Sequence, residues 1–448
     1  MRGCKVLKRV GKSADISCHA IRMADAVFPQ VFRSELEFNA PARGMWNIVH
    51  TGMLIPQSHQ IFVCAQGCLR GVILTAAEMN AMDRMSFATV RENDLFDGTL
   101  ESNVVESVSA ILDQMEVKPP AVLVFLSCIQ LFAGCDSEAI YDELRNRYPE
   151  VDFIECLMHP TMRKSGLTPD QFMRKQLYAP LKSSAPLART VGIIGNDRVT
   201  DGESELITQL QKNGFEVRDI AGCSTYEEYL GLADCEYFIS YYPTARAANV
   251  DLSGRLQRQS LHLPLSYSFA EIAANYALLE DLLDIKMDCQ AEKVAAETAL
   301  RNALEVVKNT PIAIDYTASL RSLSLARLLQ DNGFNVQRIY SDVFIGEEAA
   351  DFEYLQGHYP DLQIYPTLHP AMRFAVAEPG SGDEFLAIGQ KAACFTGTRH
   401  LVNIVSGGGW YGYKGIEKMC CAMVEAFNQI SDTEKVIQLK GWGCESCL

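Results

Sequence analysis

Twice the chain writes nearly the same stretch, "LQKNGFEVRDI" around Gly214 and "LQDNGFNVQRI" around Gly333. In both, an amphipathic helix runs into a glycine suited to the left-handed conformation, and an apolar strand starts at once. A repeated strand, helix, strand unit specifies parallel sheets covered by helices on both faces, with right-handed crossovers. The rest of the chain keeps this grammar. "SNVVESVSAILDQM" (102–115) has the apolar spacing of an amphipathic helix, and "AVLVFLSC" (121–128) is the continuous apolar run of a strand covered on both faces. "DSEAIYDELRNRYPE" reads as a helix with Asp136 or Ser137 as N-cap, and "VDFIECLM" as the next strand. Further strands are expected over "ARTVGIIGN", "EVRDIAG", "CEYFISYYP", "TPIAIDYT" and "NVQRIYSD". The expected fold is α/β: three Rossmann-like doubly wound domains with parallel sheets around a central cleft. A length of 448 residues agrees with about three domains. Boundaries are placed after the loop "LKSSAPLA" and near Lys308 to Pro311, giving units 1–187, 188–309 and 310–448. The stretch 269–309 reads as helical and is expected to act as a spacer.

A second repetition falls where such folds bind ligands. "RYPEVDFIECLMHPTMR" and "HYPDLQIYPTLHPAMR" each give a Tyr-Pro stop, a strand and a His-Pro turn, which sets His159 and His369 at the carboxyl ends of strands. Histidines there are either proton donors near a ligand or partners of a neighbouring loop.

Fifteen cysteines stand in a chain whose basic N-terminus breaks its apolar residues with Lys and Arg, so no export signal and no disulfide framework is expected. Cys64 and Cys68 share the stretch "HQIFVCAQGCLRG", Cys128 ends a strand, and Cys135 precedes a helix whose dipole favours a thiolate. Soft thiolates from separate loops suit an iron–sulfur cluster or zinc; buried structural cysteines are the alternative. The tail "GWGCESCL" offers Cys444 and Cys447 as C-x-x-C, a metal site, a redox pair or a loose end. Cys420 shares a helix face with Ile416, Met419, Met423 and Phe427 and reads as core. Gly407 to Gly409 lack the Lys of a phosphate-binding loop, so nucleotide binding is not expected.

A formal charge of -16 repels phosphate backbones and anionic bilayers, and the longest apolar run, "AVLVFLSCIQLFAGC", is too short for a membrane span. A cytoplasmic protein with neither nucleic acid nor membrane as partner is expected.

The order "VCAQGCLRG", "ENDLFDGTLESNVVESVSAIL", "PPAVLVFLSC" resembles the N-terminal domain of the nitrogenase component 1 family, which includes the dark-operative protochlorophyllide reductase subunits. "SGGGWYGYKGIEKM" (406–419) resembles that family's Gly-Tyr-rich turn before its last major helix. The resemblance implies that Cys68 and Cys128 ligate an iron–sulfur cluster, 4Fe–4S or larger. It further implies electrons from an ATP-dependent iron–sulfur reductase and a dimer or tetramer formed with a homologous subunit or with itself. It also has departures. "FNAPARGMWNIVHTG" lacks the family's earlier ligand cysteine, so Cys64, Cys135 or a partner's residue must complete the set. Tyr241 stands near the position of the cofactor-binding cysteine of catalytic nitrogenase subunits, and Val402 or a neighbour replaces their histidine. Dinitrogen reduction is therefore not expected. His159 and His369 are the expected catalytic groups of an oxidoreductase, with Tyr241 and Arg373 lining the cofactor cleft. A metallocluster scaffold or carrier, or a metal-free α/β ligand-binding protein, are the other readings.

Overall fold

The computed structural model describes residues 19–33, 37–40, 42, 44, 47–158, 166–433 and 435–436. His159, Cys444 and Cys447 lie outside the described residues. After a two-residue strand, β1 (Ile21–Arg22), come β2 (His59–Cys64), β3 (Met85–Thr89), β4 (Ala121–Ser127) and β5 (Asp152–Met158). These four pair in parallel in the order β3-β2-β4-β5. A second parallel sheet holds β6 (Leu187–Ile193), β7 (Glu216–Asp219), β8 (Cys235–Ser240) and β9 (Gln259–His262) in the order β7-β6-β8-β9. The third holds β10 (Ile312–Asp315), β11 (Val336–Tyr340), β12 (Gln363–Tyr365), β13 (Leu386–Ile388) and β14 (Leu401–Val402), ordered β12-β11-β10-β13-β14. Only β1, antiparallel on the outer edge of β12, departs from the parallel rule.

The unbroken apolar strands fit double cover. Along β2 and β4, Phe62, Leu123 and Phe125 enter one core cluster while Ile61, Val63, Val122 and Val124 enter another. Alternate residues of a strand point to opposite faces, so each strand is apolar throughout because each face is covered. Phe62 and Phe125 are register partners, and their rings stack 4.1 Å apart. Val104, Val108 and Leu112 of helix Leu100–Asp113 press on the other face, and each fully buried side chain of this kind contributes about 2 kcal/mol. The repeated glycines take the expected conformation, Gly214 at φ 80° and Gly333 at φ 85°. Asp136 caps helix Ser137–Arg147 by accepting from the Ala139 N–H at 3.0 Å.

The stretch 269–309 is not a spacer. It forms two helices, Phe269–Leu283 and Gln290–Val307, broken where Asp284 turns left-handed at φ 50°. Ala296, Leu300, Ala303 and Val307 of the second join the core cluster that also holds Met419, Cys420 and Met423 of helix Gly412–Asn428. The alanines keep that face narrow, and the apolar stripe has to be buried somewhere. Nor does each sheet keep a core to itself. One cluster joins the second sheet (Val191, Ile193, Ile239) to the third (Ile312, Ile314, Ile388), and another joins the first (Phe62, Phe125) to the second (Tyr229, Phe238). No helix among the described residues is long and apolar enough to cross a membrane.

In every sheet the strand order reverses beside its first strand, between β2 and β4, β6 and β8, and β10 and β13. Crossovers leave in opposite directions at such a point and open a crevice at the carboxyl ends of the strands.

Candidate functional site

The first crevice collects cysteines. Cys64 is the last residue of β2, Cys68 lies in the first turn of helix Gln66–Glu78, and Cys128 opens helix Cys128–Ala133 directly after β4. Cys64 is fully buried, Cys128 half-buried and Cys68 exposed. Burial pushes the Cys64 thiol up to about 12, and the nearby thiols of Cys68 and Cys128 add to the rise. Cys68 and Cys128, two of the other sequence-predicted thiols, thus both come within electrostatic reach of Cys64. The fourth does not share the place. Cys135 follows the left-handed Gly134 at the far end of helix Cys128–Ala133, on the order of 10 Å along its axis, and its thiol is raised by burial and by Glu101.

The donor set narrows the choice of metal. Among the described residues no three His, Cys, Asp or Glu side chains gather closely enough to hold a single metal ion. Thiols spread over separate loops suit a polynuclear cluster wider than one ion. At the helix starts, Cys68 N–H bonds the Ala65 carbonyl at 2.9 Å, and Ser127 and Gln130 close a capping box around Cys128. Exposed apolar side chains stand on the segments after β3 and β4: Leu95 and Phe96 end helix Glu92–Phe96, and Leu131 and Phe132 lie in the helix that Cys128 opens.

The third crevice holds a pair that sequence reasoning missed. Asp315 ends β10 with no exposed surface, accepting from the Thr317 and Ala392 N–H groups at 2.8 Å each. Gly389 (φ 104°) passes so close that a Cβ there would lie 2.3 Å from Asp315 Oδ2, so no larger residue fits. Two residues on, Lys391 is 5% exposed, its Nζ 5.8 Å from the Tyr316 ring centroid. Burial lowers the Lys391 pKa, and the carboxylates of Asp315 and Asp342 partly restore it. A buried ammonium at a switch point favours an anionic group. Strand, glycine, then a lysine in a helix's first turn was the available signal.

The second crevice is filled by the protein itself. Arg174, from helix Pro169–Gln176, donates to the Gly195 carbonyl at 2.6 Å and pairs with Asp197 at 2.8 Å and Asp170 at 3.2 Å. Burial raises the Asp197 carboxyl to about 6 in spite of Arg174.

The remaining expected residues are dispersed. Tyr241 is buried, its hydroxyl 3.0 Å from Thr200 Oγ1 and its ring packed against Tyr242 and Tyr411, which is a place in the core. His369 caps the short helix Pro370–Phe374, its Nδ1 accepting from Ala371 N–H at 3.1 Å, and its ring lies 4.7 Å from that of His19. With Nδ1 accepting, the neutral ring carries its proton on Nε2. Arg373 is exposed, over the Phe374 ring at 4.4 Å. A cleft of about 880 Å³ opens between helices Pro169–Gln176 and Arg246–Leu256 and the loop Ile345 to Glu347. Lys175, Arg246 and Glu347 line it, and Tyr241, His369 and Arg373 do not. The Gly407 to Gly409 run is no anion cradle at its start, since Ser406 and Gly407 donate to the carbonyls of Thr317 and Ala318 at 2.7 and 2.9 Å.

Residues 49–356 match the family described as nitrogenase component 1 type oxidoreductase. Among solved structures, nitrogenase Cp1 at pH 6.5 superposes with a TM-score of 0.64 at 11% identity, covering 89% of this chain and 94% of that one. Nitrogenase Cp1 at pH 5 gives 0.55 at 10% identity, covering 91% and 93%. At these identities the likeness is one of fold. No curated protein matches the sequence.

Proposed function

Since the chain belongs to the nitrogenase component 1 type oxidoreductases, we propose that it is an electron-transferring component holding an iron–sulfur cluster, 4Fe–4S or larger, through Cys64, Cys68 and Cys128. The observation that carries this reading is the convergence of three thiols, from two loops 60 residues and more apart in sequence, on the switch point of one sheet. When bound, the cluster supplies one-electron chemistry. The chain's own part is to present soft donors and to screen one side with the buried end of β2. Three thiols leave a ligand to be found, and the exposed apolar side chains of Phe96 and Phe132 are where a homologous subunit or a second copy would bring it. Electrons would come from a separate ATP-dependent iron–sulfur reductase. The third crevice is the place for an anionic substrate or second cofactor beside Lys391. Cys135, His159, Tyr241 and Arg373 take no part in holding the cluster in this reading.

Anaerobic purification, followed by iron and sulfide analysis and EPR of the reduced protein, tests it. Wild type should carry iron and sulfide; Cys68→Ala and Cys128→Ala should lose them, and Cys420→Ala, altered in the core, should keep them. A reconstituted wild type without iron overturns the proposal.

A second reading rests on the sequence resemblance, which sets Tyr241, and Val402 or a neighbour, near the positions where catalytic nitrogenase subunits carry cofactor ligands; both side chains are buried here. A scaffold that passes its cluster on needs no such ligands. Mixing the loaded protein with a reductase and ATP separates the two, since a scaffold would surrender its iron intact to an acceptor and show no turnover.

A further inference from the structure

The last rung joining β2 to β4 pairs Val63 with Leu126. Both cysteine-bearing segments begin just past it, Cys64 after Val63 and Cys128 after Ser127. Past it the ladder holds each end only on its outer side, Cys64 with Thr89 of β3 and Ser127 with Met158 of β5. One side chain spans the gap between them. Gln130, 1% exposed, accepts from the Ser127 N–H at 3.0 Å and the Ser127 hydroxyl at 2.6 Å, and its Nε2 donates to the Val63 carbonyl at 3.1 Å. Its own backbone carbonyl accepts from Cys135 N–H at 3.0 Å, which closes the helix below it.

Capping the helix at Ser127 requires an acceptor only. The bond to Val63 is a separate matter, made by the other end of the same amide and reaching the neighbouring strand 67 residues away. A carboxamide offers acceptor and donor together at this reach at every pH. A buried amide with both ends bonded is costly to disturb and rigid while intact. We infer that Gln130 is a positioning residue, an extra rung beyond the sheet that sets the distance between the backbones carrying Cys64 and Cys128 and thereby the ligand field of the bound cluster. The inference rests on the cluster reading above.

The test uses the full chain loaded with iron and sulfide, in wild type, Gln130→Met and Gln130→Glu. Methionine keeps the volume and deletes all three side-chain bonds; glutamate, read at a pH where its carboxyl is ionised, keeps the acceptor for Ser127 and gives up the donor to Val63. Both variants should retain wild-type far-UV circular dichroism and iron content. The EPR line shape of the reduced cluster should change, and a chelator should strip iron about tenfold faster, the usual scale for losing a partner behind a metal ligand. A purely structural cap would leave the spectrum of Gln130→Glu unchanged. An unchanged spectrum and unchanged iron release in both variants overturn the positioning role while the loaded wild type keeps the cluster reading standing. A wild type that binds no iron overturns both.

Discussion

His59 opens β2 with 8% of its surface exposed and Nε2 2.8 Å from Ser86 Oγ. Burial, then the charge of Arg84, lowers its pKa to about 4. The unfolded chain takes up a proton as pH falls through about 6.5, whereas the folded chain resists until about 4. The contribution is therefore whole above pH 6.5 and is lost as pH falls toward 4, about 3 kcal/mol in all. Urea denaturation at pH 7 and pH 4 should show the wild type losing about that much more stability than His59→Gln. Equal losses in the two proteins would remove His59 from the account. At this scale the sequence was legible for thiols and silent on partners. Cys64, Cys68 and Cys128 could be singled out because cysteine is rare and soft. Lys391 could not, because a lysine after "AIG" reads as a solvated helix start until strand order puts it in a crevice. Tyr241 was misplaced for the same reason: a residue just past a strand end faces a ligand only where the crevice is open, and here Tyr411 and Tyr242 close it.

Helices and strands were legible where apolar periodicity is strong, as in Leu100–Asp113 and β4, and where a glycine must turn left-handed, as at Gly214. What joins elements distant in sequence was not. Glu205, with no exposed surface, accepts from Tyr276 hydroxyl at 2.8 Å, from Lys414 N–H at 3.1 Å and from Tyr413 N–H, and so caps helix Gly412–Asn428 from the second sheet's side of the core. Gly412 (φ 74°) admits it, as a Cβ there would come within 2.1 Å of Glu205 Oε1. No local pattern announces a cap supplied from 208 residues away. Glu205→Ala should cost about 2–3 kcal/mol by leaving two helix N–H groups and a tyrosine hydroxyl without a buried acceptor. Chemical denaturation reads the loss; a change under about 0.5 kcal/mol would mean that water replaces the carboxylate.

The molecule as a whole is tied together at its second sheet, which shares one core cluster with each of the other two. The expectation of three domains rests on three sheets, and because these share core clusters, 188–309 alone would expose apolar surface that the whole chain buries. Arg174 adds a polar tie, since it carries the helix after the first sheet into the crevice of the second. Arg174→Ala would leave Asp197 buried without its counter-charge, at a cost of about 3–5 kcal/mol. Limited proteolysis should then cut between the first and second sheets before the core is lost; an unaltered digestion pattern would show that the apolar cluster holds them alone. The short β1 has a consequence of another kind. It covers the outer edge of β12, with Met23 N–H and Ala24 N–H bonding the carbonyls of Leu362 and Pro360 at 2.7 and 3.1 Å. Stripped of that cover, β12 would present unpaired backbone to the same edge of another molecule, the geometry from which chains polymerise. Two residues of strand thus guard the protein's colloidal behaviour, and a version begun after residue 33 should sediment as heterogeneous polymer where the longer chain does not.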